Sequence, residues 1–329
     1  MSGAGLDEFG LIARYFAPLA AAVPGALGLT DDGALLDTEP GRQLVITTDT
    51  MVAGVHFLPD DPPDLVARKL LRVNLSDLGS MGAKPLVYTL NTAFGPDVDE
   101  AWIAAFASGL QADQKTFGID LIGGDTVAMP GPTTLTVTAI GSVPTGRALR
   151  RRDARAGDVV YVTGTIGDGA LGLAVLRGEL AGLDGAARAA LSERYRLPRP
   201  RVALGVRLVG LAHGAIDVSD GLLADLGHIC ATSGLGARIE AGRIPLSPAA
   251  QQALSLEPAR IAAVLGGGDD YELLFTAPES HAAQIAEQAS LCDIPITAIG
   301  RMTTGQGVTV VDAAGKPLIP EVAGYRHFH

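Results

Sequence analysis

The stretch Gln43-Leu44-Val45-Ile46-Thr47-Thr48-Asp49-Thr50 opens apolar and β-branched and closes on four oxygen-bearing side chains. Such a run reads as a β-strand whose end enters a site. From Asp64 to Gly82 the apolar spacing turns helical: Leu71, Leu75 and Leu78 share a stripe, with Asn74 and Asp77 three apart beside it. A strand and the helix after it thus each present a carboxylate, the usual way an α/β domain builds a site.

Upstream, Leu6 to Ala22 reads as an opening helix, followed by a Gly/Pro-punctuated loop ending in Thr30-Asp31-Asp32-Gly33. Downstream come a strand near Leu86 to Thr92, a helix from Asp99 to Phe117, and strands at Asp120 to Gly123 and Thr133 to Ser142. The basic, turn-rich stretch Gly146 to Gly157 marks a boundary, giving an N-terminal domain at 1–147 and a C-terminal one at 148–329. The second half opens with a strand (Val159 to Thr163), a helix (Gly169 to Leu180), the helical Ala186 to Tyr195 and a helix at Ala203 to Ala212. Then comes the motif Ile216-Asp217-Val218-Ser219-Asp220-Gly221-Leu222, after which helix and strand alternate. Asn74-Leu75-Ser76-Asp77 and Asp217-Val218-Ser219-Asp220 hint at related halves, but four residues do not establish a repeat.

Composition agrees. The chain has 329 residues, 47% of them hydrophobic, which is ample for two cores. Forty-two glycines against 5% aromatics suit an enzyme with many tight strand-to-helix turns. A net charge of -11 opposes nucleic-acid binding, which needs basic surfaces that release counterions. An acidic protein that handles phosphates must bring in positive charge, and divalent metal is the natural source. Cys230 and Cys292 are distant and lack CxxC spacing, so neither disulfides nor a thiolate zinc site is expected. The N-terminus is unlike a secretory signal and no apolar run reaches membrane-span length, so a cytoplasmic location with no membrane partner is expected.

The acidic clusters share one grammar. Asp31-Asp32, Thr47 to Thr50, Asp77, Gly123-Gly124-Asp125-Thr126 and Asp217 to Asp220 each set a short carboxylate at a strand end or on a helix. Any one could be a helix cap or turn residue. Together they offer the oxygen donors that magnesium prefers, and several carboxylates converging without a cation would repel one another. No G-x-x-x-x-G-K-[ST] loop is present, so no P-loop lysine cradles a nucleotide. Gly164-Thr165-Ile166-Gly167-Asp168-Gly169 mimics a dinucleotide turn but has the wrong spacing, and reads as close helix–strand packing. His56 follows the first cluster and is a structural or substrate-contacting histidine. Arg150-Arg151-Arg152 is a solvated basic run from which one arginine could reach a phosphate. Gly266-Gly267-Gly268 leads into Asp269-Asp270-Tyr271-Glu272-Leu273-Leu274-Phe275, a flexible loop joined to a strand.

Taken in order, Thr48-Asp49-Thr50-Met51-Val52-Ala53-Gly54-Val55-His56-Phe57, Asn74-Leu75-Ser76-Asp77-Leu78, Gly123-Gly124-Asp125-Thr126 and Asp270-Tyr271-Glu272-Leu273-Leu274-Phe275 resemble the thiamine-monophosphate kinase family. Its superfamily also holds aminoimidazole ribonucleotide synthetase, selenophosphate synthetase and HypE. The resemblance implies a two-domain α/β (α+β) architecture with an N-terminal mixed sheet that pairs in a homodimer and a C-terminal α/β sandwich. It implies several magnesium ions held by Asp32, Thr47, Thr48, Asp49, Asp77, Asp125, Asp217 and Asp220, and ATP contacts at Gly124, Arg151 and Ser219. Substrate contacts fall at His56, Asp269 and Tyr325. Thr30 stands where the family usually has glycine, and Asp269 where it commonly has glutamate. The activity implied is phosphorylation of thiamine monophosphate by ATP, with magnesium rather than an acid/base pair lowering the barrier. A synthetase of the same superfamily and a non-catalytic nucleotide sensor are the alternatives.

Overall fold

The structure is a computed structural model that describes residues 8–31 and 33–318. Contacts divide the chain into two compact units, one reaching Leu78 and resuming from Lys84 to Gly146, the other formed by Gly79–Ala83 and the chain from Arg147 onward.

The first unit begins with α1 (Glu8–Leu11), which passes into a π-helical turn at Ile12–Phe16 and a 3-10 turn at Ala17–Ala20. The single opening helix read from sequence is therefore broken in three. Pro18, at the start of the third piece, lacks an N–H and cannot extend a regular α-helix. Four strands follow, β1 (Arg42–Val52), β2 (Lys84–Phe94), β3 (Asp120–Ala128) and β4 (Thr134–Pro144), with α2 (Pro63–Ser80) after β1 and α3 (Glu100–Phe117) between β2 and β3. Their order is β1-β4-β2-β3, with only β2 and β3 parallel, as a helical crossover requires. Asp99 caps α3 by accepting the Trp102 N–H, and Gly118 ends it in the left-handed region.

One face of this sheet is covered. Val45 and Met51 on β1, Val137 on β4 and Leu90 on β2 are at most 5% exposed, whereas Ile46, on the other face of β1, is 63% exposed. The second face carries Thr48, Thr50, Thr136, Thr138 and Asn91, a polar, open surface.

In the second unit a seven-stranded mixed sheet has the order β11-β10-β7-β9-β5-β8-β6. These strands are β5 (Val159–Thr163), β6 (Ala215–Asp217), β7 (Gly236–Glu240), β8 (Leu273–Ala277), β9 (Ile296–Thr303), β10 (Gly307–Val311) and β11 (Pro317–Leu318). Between them lie α4 (Asp168–Leu176), α5 (Gly185–Arg196), α6 (Val202–Leu208), α7 (Leu222–Ser233), α8 (Pro248–Leu256), α9 (Ile261–Gly266) and α10 (Ala282–Leu291). α4 stops four residues short of the expected Leu180, because Gly178 turns left-handed just beyond it. β5 and β8 are buried along their whole length, so hydrophobicity runs through them without alternation. Their side chains feed two apolar clusters, one around Val160, Ile216, Leu226 and Leu274, the other around Tyr161, Leu204 and Phe275. The glycines after β5 serve close packing as read: a Cβ on Gly167 would lie 2.8 Å from the Val264 side chain. Cys230 and Cys292 are both free thiols, and no helix among the described residues is long and apolar enough to cross a membrane.

Candidate active site

In the first unit, strand alternation sorts the Thr47 to Thr50 cluster. Thr47 and Asp49 lie on the helix-covered face, Thr48 and Thr50 on the open one. The Thr47 hydroxyl donates to Asp77 Oδ2 of α2 at 2.5 Å; the cluster lies within the strand rather than at the strand end expected, because β1 stays paired with β4 as far as Val52. Thr48 Oγ1 turns the other way, donating to the Val137 carbonyl at 3.1 Å and accepting from the Thr138 hydroxyl.

Asp125 stands elsewhere. Across the sheet it is in register with Asn91, Thr136 and Thr50, hence on the open face, and β3 is the edge opposite β1. Three strand spacings separate it from β1, about 14 Å at ~4.8 Å each. Two ligands of one magnesium ion lie within about 4 Å of each other, so Asp49 and Asp125 of one sheet do not share an ion. Gly124 is obligatory beside it: a Cβ there would fall 1.8 Å from the Leu90 carbonyl oxygen. Asp31, Phe16, Leu90, Gly124 and Asp125 border a cavity of about 300 Å³. Asp32, next to that rim in sequence, lies outside the described residues.

His56 follows a left-handed Gly54 and is half-buried. Its Nδ1 accepts the Val52 N–H at 3.1 Å, which leaves the proton of the neutral ring on Nε2. Buried Lys69 donates to the His56 carbonyl at 3.2 Å, tying this turn to α2.

In the second unit β6 ends on Asp217, 2% exposed, and the chain turns through Val218, Ser219, Asp220 and Gly221 into α7. The Gly266–Glu272 loop interlocks with that turn. The Ser219 carbonyl accepts the Asp269 N–H at 3.0 Å, the Val218 carbonyl accepts the Tyr271 N–H at 2.8 Å, and the Val218 N–H donates to the Glu272 carbonyl. Asp269 and Tyr271 hold positive φ values of 70° and 51° without being glycine, strain of the kind kept at functional sites. The Tyr271 hydroxyl donates to Asp269 Oδ1 at 3.1 Å. The candidate ATP, metal and substrate residues Ser219, Asp220 and Asp269 therefore belong to one knot of backbone. Arg151 is exposed in a short 3-10 turn, beside an Arg150–Asp153 ion pair. Tyr325 lies outside the described residues.

Three acids to which the sequence assigned no role support this knot, two of them inside the quoted Asp270–Phe275 motif. Asp225 Oδ2 accepts N–H groups from Ser219, Asp220 and Gly221, and burial pushes its pKa up to about 7. Asp270 accepts from Gly167 and Gly169 at the start of α4, and burial pushes it to about 8. Glu272, fully buried, receives Arg201 through both guanidinium arms at 2.6 Å, Arg194 at 2.9 Å and the Thr163 hydroxyl at 2.6 Å. The Asp-x4-Asp spacing of Asp220 and Asp225 was a usable signal; the Glu272 network, spread over 109 residues of chain, was not. A cavity of about 800 Å³ behind Glu272 contains none of the predicted site residues. Asp220, Asp225 and His228 are the cluster of possible metal ligands among the described residues whose ligand atoms lie within 4.8 Å of one another.

Two mixed-sheet units, with carboxylates within β1 and β3 and at the end of β6, define a class, and similarity to known proteins identifies it. Residues 30–143 match the family model of the AIR synthase related protein N-terminal domain, and residues 155–313 that of its C-terminal domain. Thiamine-monophosphate kinase of Escherichia coli K12 is 45% identical over 324 residues, covering 98% of each chain. The crystal structure of thiamine-monophosphate kinase from Stenotrophomonas maltophilia K279a superposes with a TM-score of 0.84 at 44% identity, covering 95% of this chain and 98% of that one. AaThiL complexed with AMPPCP and TMP gives 0.78 at 29%, covering 98% and 97%. The chain belongs to the thiamine-monophosphate kinase family.

Proposed function

We propose that the chain transfers the γ-phosphoryl group of ATP to the phosphate of thiamine monophosphate, giving thiamine diphosphate and ADP. The observation that carries this reading is the meeting of β1 with α2, where Thr47 bonds Asp77 beside Asp49, in a chain alike over 98% of its length to kinases of that name. A relative that holds AMPPCP and TMP together supports the pairing of nucleotide and acceptor.

The donor set suits magnesium, since a hydroxyl and carboxylates are hard oxygen ligands with no sulfur among them. Thr47, Asp49 and Asp77 would hold it in the first unit, with Thr48 contributing through its carbonyl because its side chain faces away. Asp125, Asp217 and Asp220, with Asp32, complete the proposed set. When bound, magnesium supplies charge neutralisation between the polyphosphate of ATP and the phosphate of the acceptor. Gly124, Arg151 and Ser219 would contact ATP, the Gly124 cavity receiving part of the nucleotide, and His56 Nε2–H, Asp269 and Tyr325 would contact the acceptor.

In the reaction an acceptor phosphate oxygen forms a bond to the γ-phosphorus while the bond to the β–γ bridging oxygen breaks, and ADP leaves with that electron pair. The acceptor phosphate, with a second pKa of about 6, is mostly dianionic at neutral pH, so no strong base is required. The chain's own work is to align two anions and exclude water.

The same geometry supports a homodimer. Asp49 and Asp125 would ligate one ion only if they came from different copies, and the open face of the first sheet is a surface that a second copy would cover. Purified protein with ATP, magnesium and thiamine monophosphate should form ADP and thiamine diphosphate in equal amounts, with no ADP when the acceptor is omitted. Release of inorganic phosphate in step with turnover would indicate a synthetase instead, and saturable nucleotide binding without turnover a sensor.

A further inference from the structure

Between the last residue of β6 and the first of α7 the backbone makes a turn in which three successive N–H groups, of Ser219, Asp220 and Gly221, point at one atom. That atom is Asp225 Oδ2, at 3.0, 3.0 and 3.1 Å. Consecutive N–H groups converging in this way form a concavity that ordinarily takes an external anion. Here the protein's own carboxylate, 2% exposed, fills it.

Ordinary helix capping does not account for the arrangement. A cap side chain precedes the helix and reaches forward to N–H groups of the first turn. Asp225 sits inside the first turn and reaches back four to six residues; of its three donors only the Gly221 N–H is one that α7 leaves unpaired at its N-cap, and the Ser219 and Asp220 N–H groups lie before the helix. Gly221, at φ 117° with its Cα hydrogen facing Gly266, lets the chain bend around the carboxylate; a Cβ there would lie 2.6 Å from the Gly266 carbonyl carbon.

The far side of the same turn is held by the Gly266–Glu272 loop. Ser219 is gripped at both ends, its N–H by Asp225 and its carbonyl by the Asp269 N–H at 3.0 Å. Gly268 presses so close that a Cβ would stand 2.0 Å from the Ser219 oxygen. The backbone of Ser219 therefore couples Asp225 to Asp269.

We propose, on the basis of the kinase reading above, that Asp225 is a positioning residue: it holds the Ser219–Asp220–Gly221 turn so that the Ser219 and Asp220 side chains and Asp269 face the reactants. It touches neither nucleotide nor acceptor and acts through the backbone.

Two variants test this, Asp225→Ala, which removes the acceptor, and Asp225→Asn, which keeps an oxygen without the charge. Amide hydrogen exchange on the protein without substrates should show Ser219, Asp220 and Gly221 exchanging about 100-fold faster in Asp225→Ala, with Leu274 and Phe275 of β8 unchanged. The half-saturating concentrations of magnesium and ATP should rise at least about tenfold in Asp225→Ala with a smaller change in kcat, and Asp225→Asn should recover part of the loss. Unchanged exchange at the three amides, or unchanged magnesium and ATP requirements, in a folded variant overturns the inference. Should Asp225→Ala fail to fold, wild-type magnesium and ATP requirements in Asp225→Asn overturn it equally. Exchange is read without turnover, so absence of kinase activity in the wild type would defeat the kinase reading while leaving the Asp225 turn to be judged by its amides.

Discussion

As proposed magnesium ligands, Asp49 and Asp77 would do different chemistry from the acids that brace the Ser219 turn and its loop, and substitution separates the two kinds. Asp49→Asn or Asp77→Asn keeps size and removes charge, so turnover at low magnesium should fall by about 100-fold and recover in part as magnesium is raised. Initial rates over a magnesium titration check this; full activity without added metal contradicts it. Asp270 should act on stability. Burial lifts its carboxyl to about 8 in the folded state, while in the unfolded chain it titrates near ~4. The folded state thus holds a proton that the unfolded state releases between about pH 4 and pH 8, so stability is greatest below that window and falls as pH rises through it. Urea midpoints at pH 5.5 and 8.5 should converge less in wild type than in Asp270→Asn, whose neutral amide has no such titration. Equal pH dependence in both would contradict the assignment. At this scale the sequence offered Thr47, Asp49 and Asp77 as candidates by residue type, and the structure bonds Thr47 to Asp77. It assigned no role to Asp225 or Asp270, because their partners are backbone N–H groups that only the folded turns gather.

At the level of elements, β1, α2 and α3 were legible because their periodicities and caps agree with their burial. β3 was expected to end at Gly123 and runs to Ala128, because pairing with β2 carries two poor strand formers, Gly123 and Gly124, through the sheet. That pairing makes Gly124→Ala a sharp test of the register: a methyl 1.8 Å from the Leu90 oxygen should cost at least ~2 kcal/mol or displace the edge strand. Chemical denaturation measures it, and a neutral effect would contradict the register. In the second unit Glu272 ties β8 to α5 and to Arg201, just before α6. Glu272→Gln would strand two arginines against a neutral group, at roughly 3 kcal/mol by the usual cost of breaking a buried pair. A loss below ~1 kcal/mol would show the network to be looser than its distances imply.

Across the whole molecule, two α/β halves could be inferred from composition and alternating periodicities, but strand order could not. The order β1-β4-β2-β3 puts two motifs that read alike in sequence on opposite edges and opposite faces of one sheet. On the proposed reading Asp49 and Asp125 hold one ion only if a second copy completes the site, and mixing two inactive variants examines that directly. Asp49→Ala and Asp125→Ala subunits, co-expressed and purified as mixed dimers through two different tags, leave one site with both aspartates intact and one with neither. Transfer of phosphate from ATP to thiamine monophosphate should be absent in each parent and return to about half the wild-type rate in the mixed dimer. Mixed dimers as inactive as their folded parents would contradict a site shared between two copies.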